Sequence, residues 1–160
     1  MNLKRTGKSG FVFHLSGREK QILLHTIQLY PLVPATHHRL SKTASAQSEE
    51  NQRLLEESLA QHRTEKRQQL EALLKKAARL KKVNRTFRLR LKKAELEWLL
   101  QVFNDIRVGS WLALGEPDQD KPPEITPENF RYAVALEVCG AFQSVMLAAL
   151  GEAELPEWLG

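Results

Sequence analysis

The chain has a single cysteine, Cys139, among its 160 residues. One thiol excludes an intramolecular disulfide and fits a reducing compartment. Metal-ligand spacing is missing too. His37 and His38 are adjacent and cannot share a face of regular structure, and His14, His25 and His62 are scattered. Glu116-Pro-Asp118-Gln-Asp120 offers three carboxylates but lacks the glycine and distal glutamate of a calcium loop, so a solvated loop is expected. Lys8-Ser-Gly10 lacks the glycine frame that cradles phosphates, and no serine triad is visible. Cys139 lies in an apolar helical run, where an inert buried thiol is the default. These absences point away from an enzyme, a metal or a cofactor.

Long hydrophobic runs are scarce. The basic start has no apolar stretch behind it, so no signal peptide is expected and the reading is cytoplasmic. Ala133–Leu150 approaches membrane-spanning length but contains Glu137, Gln143 and Ser144. A buried core helix explains the same pattern, and no membrane partner is expected.

What is present is segregated charge. Residues 63–93 carry 13 Lys/Arg against 2 Asp/Glu, whereas residues 94–160 carry 3 against 12. The net charge of +5 conceals two opposed local fields. Such fields steer partners or hold the chain's own halves together.

Two stretches offset by 76 positions are alike. Phe11, Phe13 and Leu15 fall on Phe87, Leu89 and Leu91, Glu19 falls on Glu95, and Leu23-Leu24 on Leu99-Leu100. Each begins with the alternation of a half-buried strand and changes to helical spacing. Ser16-Gly-Arg-Glu19 has the form of a capping box, whereas the second copy has Lys92 at the cap. The pattern predicts two strand-turn-helix units whose strands, Phe11–Leu15 and Phe87–Leu91, pair as a two-stranded ribbon.

Tyr30-Pro-Leu-Val-Pro34 breaks the first helix, and residues 35–48 read as a polar loop. Residues 49–82 contain no Gly or Pro and predict one long helix with a narrow stripe through Leu55, Leu59, His62, Lys66, Leu70, Leu73, Ala77 and Leu80. The next helix runs from about Lys93 to Leu114, nearly encircled by apolar residues, and stops at Gly115. Thr126-Pro127-Glu128 reads as an N-cap, an N1 proline and a first-turn acid. That last helix should run to about Leu150 and end at Gly151, with Trp158 folding back. The fold class is thus a single mainly α domain over residues 1–160 with a minor β ribbon.

Two residue groups are candidate sites. Asn104, Asp105 and Arg107 interrupt an apolar helix. Asn104 and Arg107 share a face while Asp105 points elsewhere. Pairing of Asp105 with Arg131, or of Arg107 with Glu137, would lock the last two helices together, a structural role. Lys75, Lys76, Arg79, Lys82, Arg85, Arg88 and Arg90 could contact phosphates. No aromatics that could stack on bases are interleaved with them.

The stretch Leu89-Arg-Leu-Lys-Lys-Ala-Glu-Leu-Glu-Trp-Leu-Leu-Gln-Val-Phe-Asn-Asp-Ile-Arg-Val108, continuing through Gly109 to Leu114-Gly115, resembles an uncharacterised bacterial domain family best known from actinobacteria. That family has an opening strand and helix, a variable middle, an Asn-Asp-hydrophobic-Arg segment leading to Leu-Gly, and a final apolar helix. Asn104, Asp105 and Arg107 match its motif, and the basic middle of this chain departs from it. The family brings no activity. The leading expectation is a non-enzymatic interaction or regulatory protein that self-associates as a homodimer, with residues 49–82 or the last helix in the interface. The alternative is a nucleic-acid-associated protein using residues 63–93.

Overall fold

The computed structural model describes residues 1–33, 46–78, 82–83 and 85–154. Residues 34–45, including most of the expected polar loop, lie outside the described residues, as do Arg79, Leu80, Trp158 and the rest of the C-terminal tail. Four strands, β1 (Asn2–Thr6), β2 (Gly10–Leu15), β3 (Lys82–Val83) and β4 (Thr86–Lys92), form an antiparallel sheet in the order β1-β2-β4-β3. Four helices, α1 (Gly17–Ile27), α2 (Ala46–Ala78), α3 (Lys93–Ala113) and α4 (Phe130–Glu154), make the chain mainly helical.

β2 and β4 pair antiparallel, with Phe11 opposite Leu91, Phe13 opposite Leu89 and Leu15 opposite Phe87. The sheet is nevertheless larger than a two-stranded ribbon. β1 adds a full third strand, with Leu3 opposite Phe13, and the two-residue β3 flanks β4. The alternation of β1 is hidden because Leu3 is the only apolar residue in Asn2–Thr6. Lys8 and Ser9 belong to the turn joining β1 to β2, which opens on Gly7 at φ 66°, and Gly10 begins β2 opposite Thr6. Gly7 has open space around a would-be Cβ, so its requirement is conformational.

Leu3, Phe11, Phe13, Leu15, Leu89 and Leu91 project from one sheet face into the core. There they meet Leu96, Leu99, Val102, Phe103 and Ile106 of α3 and Ala135, Cys139, Phe142 and Met146 of α4. Phe142 stacks on Phe103 at 5.2 Å between centroids and meets Phe13 edge-on at 6.3 Å.

Local signals set the helix ends. At α1 the Ser16 hydroxyl accepts from the Glu19 N–H and the Glu19 carboxylate accepts from the Ser16 N–H, both at 3.1 Å. This is the capping box read from the sequence. Lys92 caps α3 without a side-chain bond. α3 ends in a Schellman pattern, with Gly115 N–H to Leu112 O at 3.1 Å and Glu116 N–H to Trp111 O at 3.0 Å, and Gly115 takes φ 83°. Before α4, Thr126 and Asn129 bond reciprocally, side chain to backbone N–H, at 3.3 and 2.8 Å.

Three boundaries differ from expectation. α4 begins at Phe130 rather than at Pro127, with residues 127–129 forming a turn in which the Phe130 N–H bonds to the Thr126 carbonyl at 3.0 Å. α2 spans Ala46–Ala78 rather than 49–82, because Ala46 and Gln47 are themselves helix formers and Lys82 is in a strand. α4 continues through Gly151 to Glu154. A glycine in helical conformation costs about 1 kcal/mol without terminating the helix. At roughly 50 Å, α2 is the longest element, and Leu70 and Leu73 near its C-terminal end are its buried anchors among the described side chains.

Candidate functional site

The polar interruption in α3 divides as its helical spacing implies, but with other partners than expected. Asp105 does not pair with Arg131. Its Oδ1 accepts from the Leu32 N–H at 2.7 Å and, more weakly, from the Val33 N–H at 3.4 Å. The segment after α1, which has left the helix at Gln28, cannot satisfy those N–H groups internally, so a carboxylate from α3 does. Burial raises the Tyr30 hydroxyl above its ordinary pKa, and the nearby Asp105 charge adds to this, against an opposing pull from Arg63. Arg67 of α2 donates to the Tyr30 carbonyl. Asp105 therefore anchors the segment that follows α1.

Arg107 does not pair with Glu137 either. It donates to Gln143 Oε1 of α4 at 3.3 Å, because Gln143 faces α3 one and a half turns further along. Arg131 instead donates to the neighbouring Tyr132 hydroxyl at 2.7 Å and lies over its ring. Asn104, Arg107 and Trp111 from α3 and Leu136, Glu137, Gly140, Ala141 and Ser144 from α4 line an open groove of about 890 Å³. Asn104 and Arg107 are exposed there and point away from Asp105. Cys139 sits behind this groove in the core. Burial pushes its thiol up to about 12, against a smaller pull from Arg107, so it is not a poised nucleophile.

The outward side of α4 carries exposed apolar residues, with the exposed Glu137 and Ser144 interrupting them on the same line. Ala135, Cys139, Phe142, Met146 and Ala149 bury one side, while Phe130 and Val134 on the other are 58% and 43% exposed. Ala141 and Ala148 continue the outward line at helical spacing, and Leu147, 58% exposed, flanks it. The segment Phe130–Gly151 is long and apolar enough to cross a membrane by length and composition alone. Its packing against α3 and the sheet gives the inner half of that run a core role.

The basic run is dispersed by the fold. Lys76 is engaged structurally. It donates to the Arg90 carbonyl at 2.8 Å, beyond the reach of β3, and pairs with Glu95 at 3.6 Å. Lys75 is exposed on α2, Arg85 is exposed in the turn before β4 at φ 66°, and the Lys82 side chain lies outside the described residues. Arg88 and Arg90 project together from the sheet face opposite the core. The sheet places His14 opposite Arg88 and sets Val12 between Lys4 and Arg90. Lys92, opposite Gly10, completes the row. Lys4 and His14 lie more than 70 positions from Arg88 and Arg90, so charge counting along the chain misses them. The signal that finds them is strand register, which brings the same-parity residues of β1, β2 and β4 to one face.

A further cleft between α2 and α3 is lined by Gln69, Ala72, Leu73, Lys76, Ala94, Glu95 and Trp98. The buried Trp98 indole N–H has no acceptor among the described residues. Against this geometry, no family model, no curated protein and no solved structure matches the chain.

Proposed function

We propose that this chain is a non-enzymatic, cytoplasmic interaction protein that self-associates as a homodimer through the outward face of α4. The observation that carries the reading is the exposure of Phe130, Val134 and Leu147 on a helix whose other side is already core. Exposed apolar residues on a helix whose inner side is core leave a second surface to cover, and exposed apolar patches of several hundred Å² mark interaction sites. A two-fold pairing is the commonest way to cover one. Trp111, 39% exposed, borders the same surface across the α3–α4 groove. Within this reading Asn104 and Arg107 shape the groove, Asp105 is structural, and no residue is assigned a catalytic role. The similarity to the actinobacterial domain family remains part of the proposal, carried by Asn104, Asp105 and Arg107. So does a strand-turn-helix pseudo-repeat, supported by the pairing of β2 with β4, each followed by a helix.

Sedimentation at micromolar concentration tests the homodimer. The expected result is a species of twice 18.3 kDa that a Val134→Glu/Leu147→Glu variant converts to monomer with its helical spectrum intact. A wild-type chain that stays at 18.3 kDa up to roughly 100 µM, well above typical weak-dimer affinities, removes the proposal.

A further inference from the structure

We propose that the outer face of the sheet binds duplex DNA through its phosphate backbone, without reading sequence. The face is assembled from two distant parts of the chain. β1 contributes Lys4, β2 contributes His14, and β4 contributes Arg88, Arg90 and Lys92, all in register across three strands. None of these three strands contains an Asp or Glu. Lys4, Arg88, Arg90 and Lys92 are exposed, and none makes an ion pair among the described residues.

The acidic loop of residues 116–128 does not neutralise this face. α3 leaves the end of β4 at Lys93 and carries the chain about 30 Å along its axis before the acidic loop of residues 116–128 begins. Charges that far apart are screened at physiological salt, where the Debye length is about 8 Å. The nearer carboxylates, Glu95 and Glu97, already have Lys76 and Lys93 as partners. Like charges on neighbouring strands repel, and a polyanion laid across them relieves that repulsion.

The chemistry of the face selects among polyanions. A single strand would need exposed aromatics on which its bases stack. Phe11 and Phe13 are instead buried in the core, and the Phe87 ring is covered by Lys20 at 4.4 Å. A lipid surface would need an apolar anchor, yet Val12, the one apolar side chain in this row, is only 7% exposed between Lys4 and Arg90. What remains is a grid of cations. Arg88, Arg90 and Lys92 span about 13 Å along β4, and Lys4 lies about 10 Å away across two strand spacings. A duplex carries about eight phosphates over 13 Å of its axis, so its facing side supplies enough for four cations. The N-terminus of α3, capped by Lys92 without a side-chain bond, adds the positive end of its dipole beside the same row. This inference does not rest on the α4 contact, and the two fail independently.

Fluorescence anisotropy of a labelled 20-base-pair DNA duplex of arbitrary sequence, titrated with the full chain, tests it. Four phosphate contacts give a log–log salt slope of about −3.6, so affinity should fall about 150-fold between 50 and 200 mM salt. Arg88→Ala/Arg90→Ala should halve the slope to about −1.8, and Lys4→Ala should reduce it by about 0.9. Lys75→Ala, outside the face, should leave it unchanged. Unaltered melting temperatures establish that the variants fold. The proposal is overturned by absence of binding at 50 mM salt. It is equally overturned if Lys75→Ala weakens binding as much as Arg88→Ala/Arg90→Ala. Tighter binding to a single strand of equal length, to anionic phospholipid vesicles or to polyglutamate would assign the face to another class of partner.

Discussion

Gly109 and Leu32 approach so closely that no side chain fits at position 109. A Cβ built there would lie 2.6 Å from Leu32 Cγ, 2.8 Å from its Cβ and 2.9 Å from its carbonyl carbon. One turn earlier on the same helix, Asp105 accepts from the Leu32 N–H. The two α3 positions therefore act on one residue, Asp105 holding its backbone and Gly109 making room for its side chain. Together they fix where the chain leaves α1.

Gly109→Ala should accordingly destabilise the fold. Alanine brings about 1 kcal/mol of helix propensity. Forcing Leu32 and its backbone aside costs about 1–3 kcal/mol. The expected net is a lower denaturant midpoint with an unchanged slope. Gly140→Ala, on α4 where a Cβ meets nothing within 4 Å, should be neutral or stabilising under the same conditions. Equal behaviour of the two variants would show that Leu32 yields at no cost.

Asp105 can be separated from Gly109 by chemistry. Asp105→Ala leaves the part-buried Leu32 N–H without an acceptor, at a cost of about 1–3 kcal/mol. Asp105→Asn keeps an oxygen at that position and should recover much of the loss. Thermal or chemical denaturation of the two variants measures the difference. If both lose the same stability, the negative charge rather than the hydrogen bond matters.

The legible parts of this fold are those written in local periodicity or cap chemistry. Phe11–Leu15 and Phe87–Leu91 announce themselves by alternation, and Ser16/Glu19 and Gly115 by their cap types. β1 is not legible, because a strand that buries only Leu3 has no visible period. The partners of Asp105 and Arg107 escaped for a different reason. Charge suggested Arg131 and Glu137, but a carboxylate can equally serve backbone N–H groups, and those of Leu32 and Val33 lie over 70 positions away. The sheet face was half legible. Arg88 and Arg90 stand out in the sequence, whereas Lys4 and His14 join them only through register.

The capping box at α1 also carries a pH signature. Burial would raise the Glu19 carboxyl, but the Met1 ammonium at 2.6 Å and the Ser16 N–H and hydroxyl outweigh it and hold it below its ordinary 4.5. A carboxyl depressed in the folded state contributes stability that is present above its unfolded pKa and lost as pH falls through the folded one. Glu19→Gln keeps an oxygen able to accept from the Ser16 N–H but removes the charge. The wild type should therefore be the more stable by about 0.3–1 kcal/mol at pH 7, through the charge at the helix N-terminus and beside the ammonium. That gap should close as pH falls below 4.5 and through the lower value of the folded carboxyl, below which both residues are neutral. Denaturant midpoints of the two chains at pH 7 and pH 3 provide the comparison. A gap of the same size at both pH values would place the effect in the geometry of the cap rather than in its charge.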